Sequence, residues 1–159
     1  VNEVLLPKPE PKPKKARKRP RRERRSTVAQ LKKRADALWR EIVLTRDGKR
    51  CMARAHNVTP EPCGGPLQAD HLFGRKKLRW DPDGGATVDA YCHRRITFDQ
   101  AAHAMLGLRM LGRDEYERLL EQANQDRGRH TILHYEVEAV VARLEARLRL
   151  QWLKRTACE

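Results

Sequence analysis

Between Cys63 and His93 the chain reads CGGPLQADHLFGRKKLRWDPDGGATVDAYCH, and this stretch limits the available folds more than any other. Residues 66–73 suit a short strand ending near His71. The segment WDPDGG at 80–85 is a turn by composition, and residues 86–91 suit a second strand. A helix is then predicted from Cys92 to Ala104. A strand–turn–strand–helix unit brings the end of its first strand beside the start of its helix. Asp70, His71 and His93 can therefore converge, although 22 positions separate the two histidines.

Those residue types in that order suit phosphodiester hydrolysis with one metal ion. An unperturbed imidazole titrates near about pH 6.5, so His71 can take a proton from water at neutral pH. The Asp70 carboxylate and the His93 imidazole suit a divalent cation such as Mg²⁺ or Mn²⁺, which stabilises charge on the phosphate and on the leaving 3′-oxygen. Arg75, Lys76, Lys77 and Arg79 follow the first strand and can grip flanking phosphates. A lone Asp-His pair is more often structural. The cysteines and the basic run around this pair tip the reading towards catalysis.

Three of the four cysteines, Cys51, Cys63 and Cys92, flank the same stretch; Cys158 lies next to the C-terminus and reads as a bystander. No apolar run approaches the roughly 18 residues of a membrane span, and Val4-Leu5-Leu6 is too short for a signal-peptide core. The expected compartment is the cytoplasm, the host's if the chain is phage-encoded. In that reducing setting metal binding outranks disulfides. Cys51, Cys63 and Cys92 supply three soft ligands for a structural Zn²⁺ that would fasten the loop to the first turn of the helix. The fourth ligand is Asp89 by position, three before Cys92 where a C-x-x-C partner would stand, or His56 by chemistry. Eleven residues between Cys51 and Cys63 make a stretched pair, and a free buried cysteine is the alternative for each.

Charge narrows the partner. The net charge is +14 with a pI near 10.2, and without a membrane segment the favoured partner is nucleic acid. Residues 1–25 hold eleven basic and three acidic residues, a net +8 that leaves +6 for the remainder, and five of the nine prolines. Such a segment cannot bury a core and is expected to be a disordered basic arm. Its Lys14, Lys15, Arg17, Lys18, Arg19, Arg21 and Arg22 would track DNA phosphates; a merely solubilising extension is the alternative.

Residues 26–159 are then one α+β domain. A leading helix fills 26–48: Ser26-Thr27 can cap it, and Val28, Leu31, Ala35, Leu38 and Ile42, widened by Trp39, make one apolar face. Lys32, Lys33, Arg34 and Arg40 read as its solvated face. Asp47-Gly48 stops it. Residues 49–67 look irregular, and the metal-binding core occupies 49–104. Residues 105–155 carry trailing helices, with a stop at Gly112, Tyr116, Leu119 and Leu120 on one side of a second segment, and a loop at 125–131. The last helix, from Tyr135 to about Lys154, lines up Val137, Val140, Val141, Leu144, Leu148 and Trp152. That stripe packs on its own domain or forms the seam of a homodimer.

With these residues in hand, the chain resembles the HNH endonuclease superfamily, and more closely the phage NinG/Rap-type recombination endonucleases. The resemblance covers about residues 28–152. It rests on LWREIVLTRDG in the leading helix, the H-x-x-x-R-K-x-L-R-W-D segment from His71 to Asp81, the Cys-His pair opening the helix, and the segments DEYERLL and YEVEAVVARLEARL. It implies a small ββα-metal core with a structural zinc, one leading and two or three trailing helices, and metal-dependent cleavage of branched DNA such as Holliday junctions. His71 matches the general base, His93 the metal-binding position that closes the motif, and Asp70 the carboxylate of Asp-His variants. Two positions depart from the pattern. The central Asn of the motif falls on Gly84, so the base must be oriented from elsewhere, by Asp83 or a backbone carbonyl. The first cysteine of the second zinc pair falls on Asp89.

Overall fold

The computed structural model describes residues 26–59, 63–74, 78–125 and 133–157. The basic arm, the run Arg75, Lys76 and Lys77, and Cys158 lie outside the described residues. The architecture is α+β, with six helices and one two-stranded antiparallel sheet among the described residues.

Helix α1 (Val28–Arg46) starts where its cap predicts. Thr27 accepts from the Gln30 backbone N–H, and the Gln30 side chain accepts from the Thr27 N–H, so two of the orphan donors of the first turn are satisfied reciprocally. Its apolar face buries Leu31, Ala35, Trp39, Ile42 and Val43 against Trp80 and against Val137, Val141 and Leu144 of α6 (His134–Thr156). His134 meets the Ser26 carbonyl and Arg155 donates to the Thr45 carbonyl, so the first and last helices run parallel. Arg34 and Glu145 pair between them. The α6 stripe is thus used inside the chain as far as Leu148. Trp152, expected on it, is 53 % exposed.

Strand β1 (Leu67–His71) pairs with β2 (Gly85–Asp89), placing His71 opposite Gly85 and Leu67 opposite Asp89. The turn between them ends in a 3-10 segment, Pro82–Gly84, where Asp81 accepts from the Asp83 N–H. The second strand begins and ends earlier than composition suggests, since Asp89 already caps α3 (Ala90–Phe98) by accepting from Tyr91 N–H and Cys92 N–H. A second apolar cluster fills the space under the sheet, with Met52, Leu72, Ala86, Val88, Cys92, Ile96 and Leu106. The region expected to be irregular contains one turn of helix, α2 (Met52–Ala55).

The Arg-Asp pair at the end of α1 clamps helix to sheet. Asp47 is buried and accepts from the Thr87 N–H at 2.8 Å, while Arg46 holds Asp47 and donates to the Pro82 and Gly85 carbonyls, each at 2.7 Å. Removing the carboxylate strands a buried strand N–H and the guanidinium together. Asp47→Ala is therefore expected to cost about 2–4 kcal/mol. It should appear as a lower urea midpoint with an unchanged m-value. An unchanged midpoint would show that the clamp adds nothing.

The predicted single helix over 92–104 is divided. Asp99 leaves the helical conformation and accepts from the Ala102 N–H, capping α4 (Gln100–Leu111). A carboxylate able to cap a helix ended one and began another, a competition that apolar periodicity does not show. Gly112, at φ +79°, ends α4 as expected and α5 (Arg113–Gln125) follows, packing Leu119 and Ala123 on Leu78.

Candidate functional site

A cleft of about 650 Å³ opens between α1, β1, α3 and α4, and Asp70, His71 and His93 all line it. β1 carries the first two and the first turn of α3 carries the third, so the strand–turn–strand–helix unit makes the predicted convergence. The Asp70 Oδ1 lies 3.2 Å from His93 Nε2. Its Oδ2 lies 3.1 Å from a residue the sequence reading missed, His103 Nε2. His103 reaches Asp70 because the break at Asp99 redirects α4; a capping Asp inside a helical run, four residues before a His, was the available signal.

Burial alone would raise the Asp70 carboxyl. The hydrogen bond and charge of His103, the charge of His93 and the His71 backbone N–H together outweigh burial and hold it below its ordinary value. One carboxylate is thus flanked by two imidazole nitrogens in an open cleft.

His71 lies flat against Trp39 of α1, with ring centroids 4.0 Å apart and planes 23° apart. Asp83, considered as its orienting group, is held by Arg147 of α6 at 2.6 and 3.2 Å. A Cβ at Gly84 would meet Leu78 and Phe73, so a side chain at that position faces the third apolar cluster.

Arg79, expected to grip a phosphate, also makes contacts within the chain. Its guanidinium forks onto Asp36 of α1 at 3.1 and 2.8 Å, and Trp80 Nε1–H donates to the same carboxylate at 2.8 Å. The pair fixes the loop to α1. Arg40, read as a solvated charge, is exposed and also lines the cleft.

No protein-family model, curated protein or solved structure matches the chain.

Behind the cleft a second group of ligand atoms gathers. Cys51 Sγ, Cys63 Sγ, Cys92 Sγ and an Asp89 carboxylate oxygen all lie within 4.8 Å of one another, so these four residues could hold a metal ion. They come from the residue before α2, the loop before β1, the end of β2 and the first turn of α3. Asp89 is 2 % exposed, and its Oδ1 accepts from Gly64, Tyr91 and Cys92 N–H groups. Its Oδ2 is buried with no hydrogen-bond partner, which a bound cation would satisfy. The positional choice for the fourth ligand is thereby favoured: His56 is not in the cluster, and its carbonyl instead takes a hydrogen bond from Arg109 of α4.

The thiols and the carboxylate are opposed in their titration. Burial, then Asp89 and Cys51, push the Cys63 thiol up; burial, with Asp89 and Cys51 and against a contact from Thr59, pushes Cys92 up to about 11. Burial would also raise Asp89, but the Cys92 N–H and the neighbouring Cys63, Cys51 and Cys92 side chains hold it well below the usual carboxylate range. Cys92 and His93 are adjacent in α3, one facing each group.

Proposed function

We propose that the chain is a metal-dependent DNA endonuclease of the HNH, ββα-metal type. The observation that carries this reading is the Asp70 carboxylate set between His93 and His103 at 3.2 and 3.1 Å, in the same cleft as His71. The basic composition supplies the affinity for a polyanion.

Asp70, His93 and His103 would hold the cation, which supplies charge stabilisation to the phosphate in the transition state. His71 takes a proton from a water molecule whose oxygen forms the new bond to phosphorus as the bond to O3′ breaks. The departing O3′ takes its proton from solvent. Trp39 covers one face of the His71 ring. Arg40 lines the cleft wall on α1, where a guanidinium can hold the phosphate being cut. The Cys51, Cys63, Cys92 and Asp89 group would hold a structural zinc, tying α2 and the loop before β1 to α3.

Branched DNA in phage recombination is the substrate class we favour, on the resemblance of the sequence. A homodimer, which would supply two active sites to a symmetric junction, would have to use the exposed end of α6 around Leu150 and Leu153. Four-way junctions and matched linear duplex, incubated with Mg²⁺ or Mn²⁺, test the reading together. Junctions are expected to be cut faster. Equal cutting would remove the preference for branches, and no cutting of either would remove the enzyme.

The absence of the motif Asn at Gly84 favours a second reading, a zinc-stabilised DNA-binding module without catalysis. Retained DNA binding with no metal-dependent nicking would select it.

A further inference from the structure

We propose that Trp39 is the positioning residue for His71, doing from α1 what a side chain in the turn would otherwise do. This rests on the reading of His71 as the general base.

The indole is itself held rigidly. Trp39 is 5 % exposed and packs in the α1–α6 cluster. Its Nε1–H donates to the Asp81 carbonyl at 3.0 Å, which ties the ring to the turn between the strands. The Arg46–Asp47 clamp fixes α1 against β2 about two helical turns further on. Against this fixed plane the His71 imidazole stacks at 4.0 Å. An imidazole lying on a buried indole has lost the tilt out of that plane, which is most of the freedom that χ2 offers a histidine.

Gly85 makes the arrangement possible. It stands opposite His71 in the sheet. A Cβ there would lie 2.8 Å from Trp39 Cζ2 and 2.9 Å from Val43 Cγ2. Its backbone is extended, at φ −117° and ψ 158°, so nothing in its conformation requires glycine. Room for the indole does. The two glycines of DPDGG then separate in meaning: a side chain at Gly84 would face Leu78 and Phe73, while Gly85 is the gap into which Trp39 fits.

The test uses the zinc-loaded 159-residue chain with Trp39→Phe, Trp39→Leu and Gly85→Ala, and reads four quantities. In NMR spectra the wild-type His71 ring protons are expected to be shifted upfield by the indole ring current. Trp39→Phe should keep a smaller shift, and Trp39→Leu should lose it. On a DNA substrate, Trp39→Leu and Gly85→Ala are expected to lower the single-turnover rate by roughly 10- to 100-fold. DNA affinity and zinc content should stay unchanged, and Trp39→Phe should recover most of the rate.

If the wild-type His71 resonances show no ring-current shift, the proposal fails whatever the enzyme does. It fails equally if a folded Trp39→Leu or Gly85→Ala variant cuts at the wild-type rate, or if rate and DNA affinity fall together. Should Trp39→Leu not fold, Gly85→Ala and Trp39→Phe carry the same comparison with the indole displaced or replaced by a smaller ring. Should the wild type cut no DNA, the nuclease reading falls, and the NMR shift still reports whether the stack exists.

Discussion

DNA cleavage by His71→Ala is expected to fall by about 10²- to 10⁴-fold, with DNA affinity within about twofold of wild type. The split follows from where the residue sits. His71 lines the cleft and lies on Trp39, while the positive charge that draws DNA is spread over the chain. A general base contributes to the transition state and little to ground-state binding. The cleft gives a small base room to enter, so added imidazole should return part of the activity.

His103→Ala is the companion measurement. His103 engages the same carboxylate as His93, so its loss should raise the Mn²⁺ concentration for half-maximal rate by roughly 10- to 100-fold. The rate at saturating metal should change less. The two variants should thus differ in kind, one insensitive to added metal and one rescued by it. A His71→Ala variant as active as wild type would end the assignment of the base. A His103→Ala variant with unaltered metal dependence would leave the cation to Asp70 and His93 alone.

The difference between these residues is also a difference in how visible they were. Asp70, His71 and His93 were legible because a strand–turn–strand–helix unit brings together residues its own connectivity dictates. Thr27, Gly112 and the stripe from Val137 to Leu144 were legible for a related reason: caps and apolar periodicity are local properties. Asp89 was readable by its distance from Cys92 alone. What escaped the sequence depends on contacts with no local signature. His103 reaches Asp70 only because Asp99 caps a new helix. Trp39 reads as one more core aromatic, and nothing within α1 says that an imidazole 32 residues later will lie on it. Arg79 looks like part of a basic run until Asp36, on another element, claims its guanidinium. Trp152 continues the periodicity of a helical stripe, yet it stands 53 % exposed.

The largest effect on the fold is expected from the Cys51, Cys63, Cys92 and Asp89 group. Zinc removed by a strong chelator, or lost through Cys92→Ser, should lower the midpoint of thermal unfolding by at least about 10 °C, the equivalent of several kcal/mol for a domain of this size. The four residues join three separate pieces of chain, and the apolar cluster around Met52, Val88 and Ile96 is small. Without a cation the buried Asp89 Oδ2 has no partner. His56→Ala should leave the zinc content at one per chain, since His56 lies outside the group. The same ligands set the pH dependence. Burial first, and then Asp89 and neighbouring thiols, keep Cys63 and Cys92 protonated at neutral pH when no metal is bound, Cys92 up to about 11. Asp89 is held below the usual carboxylate range and is already ionised. Zinc uptake must therefore release thiol protons, so affinity should climb as pH rises from about 6 to 8 and weaken as it falls. Calorimetry in buffers of different ionisation enthalpy reads that release directly. A chain that unfolds at the same temperature with and without chelator, or that binds zinc without releasing protons, would mean that these residues do not form a thiolate metal site.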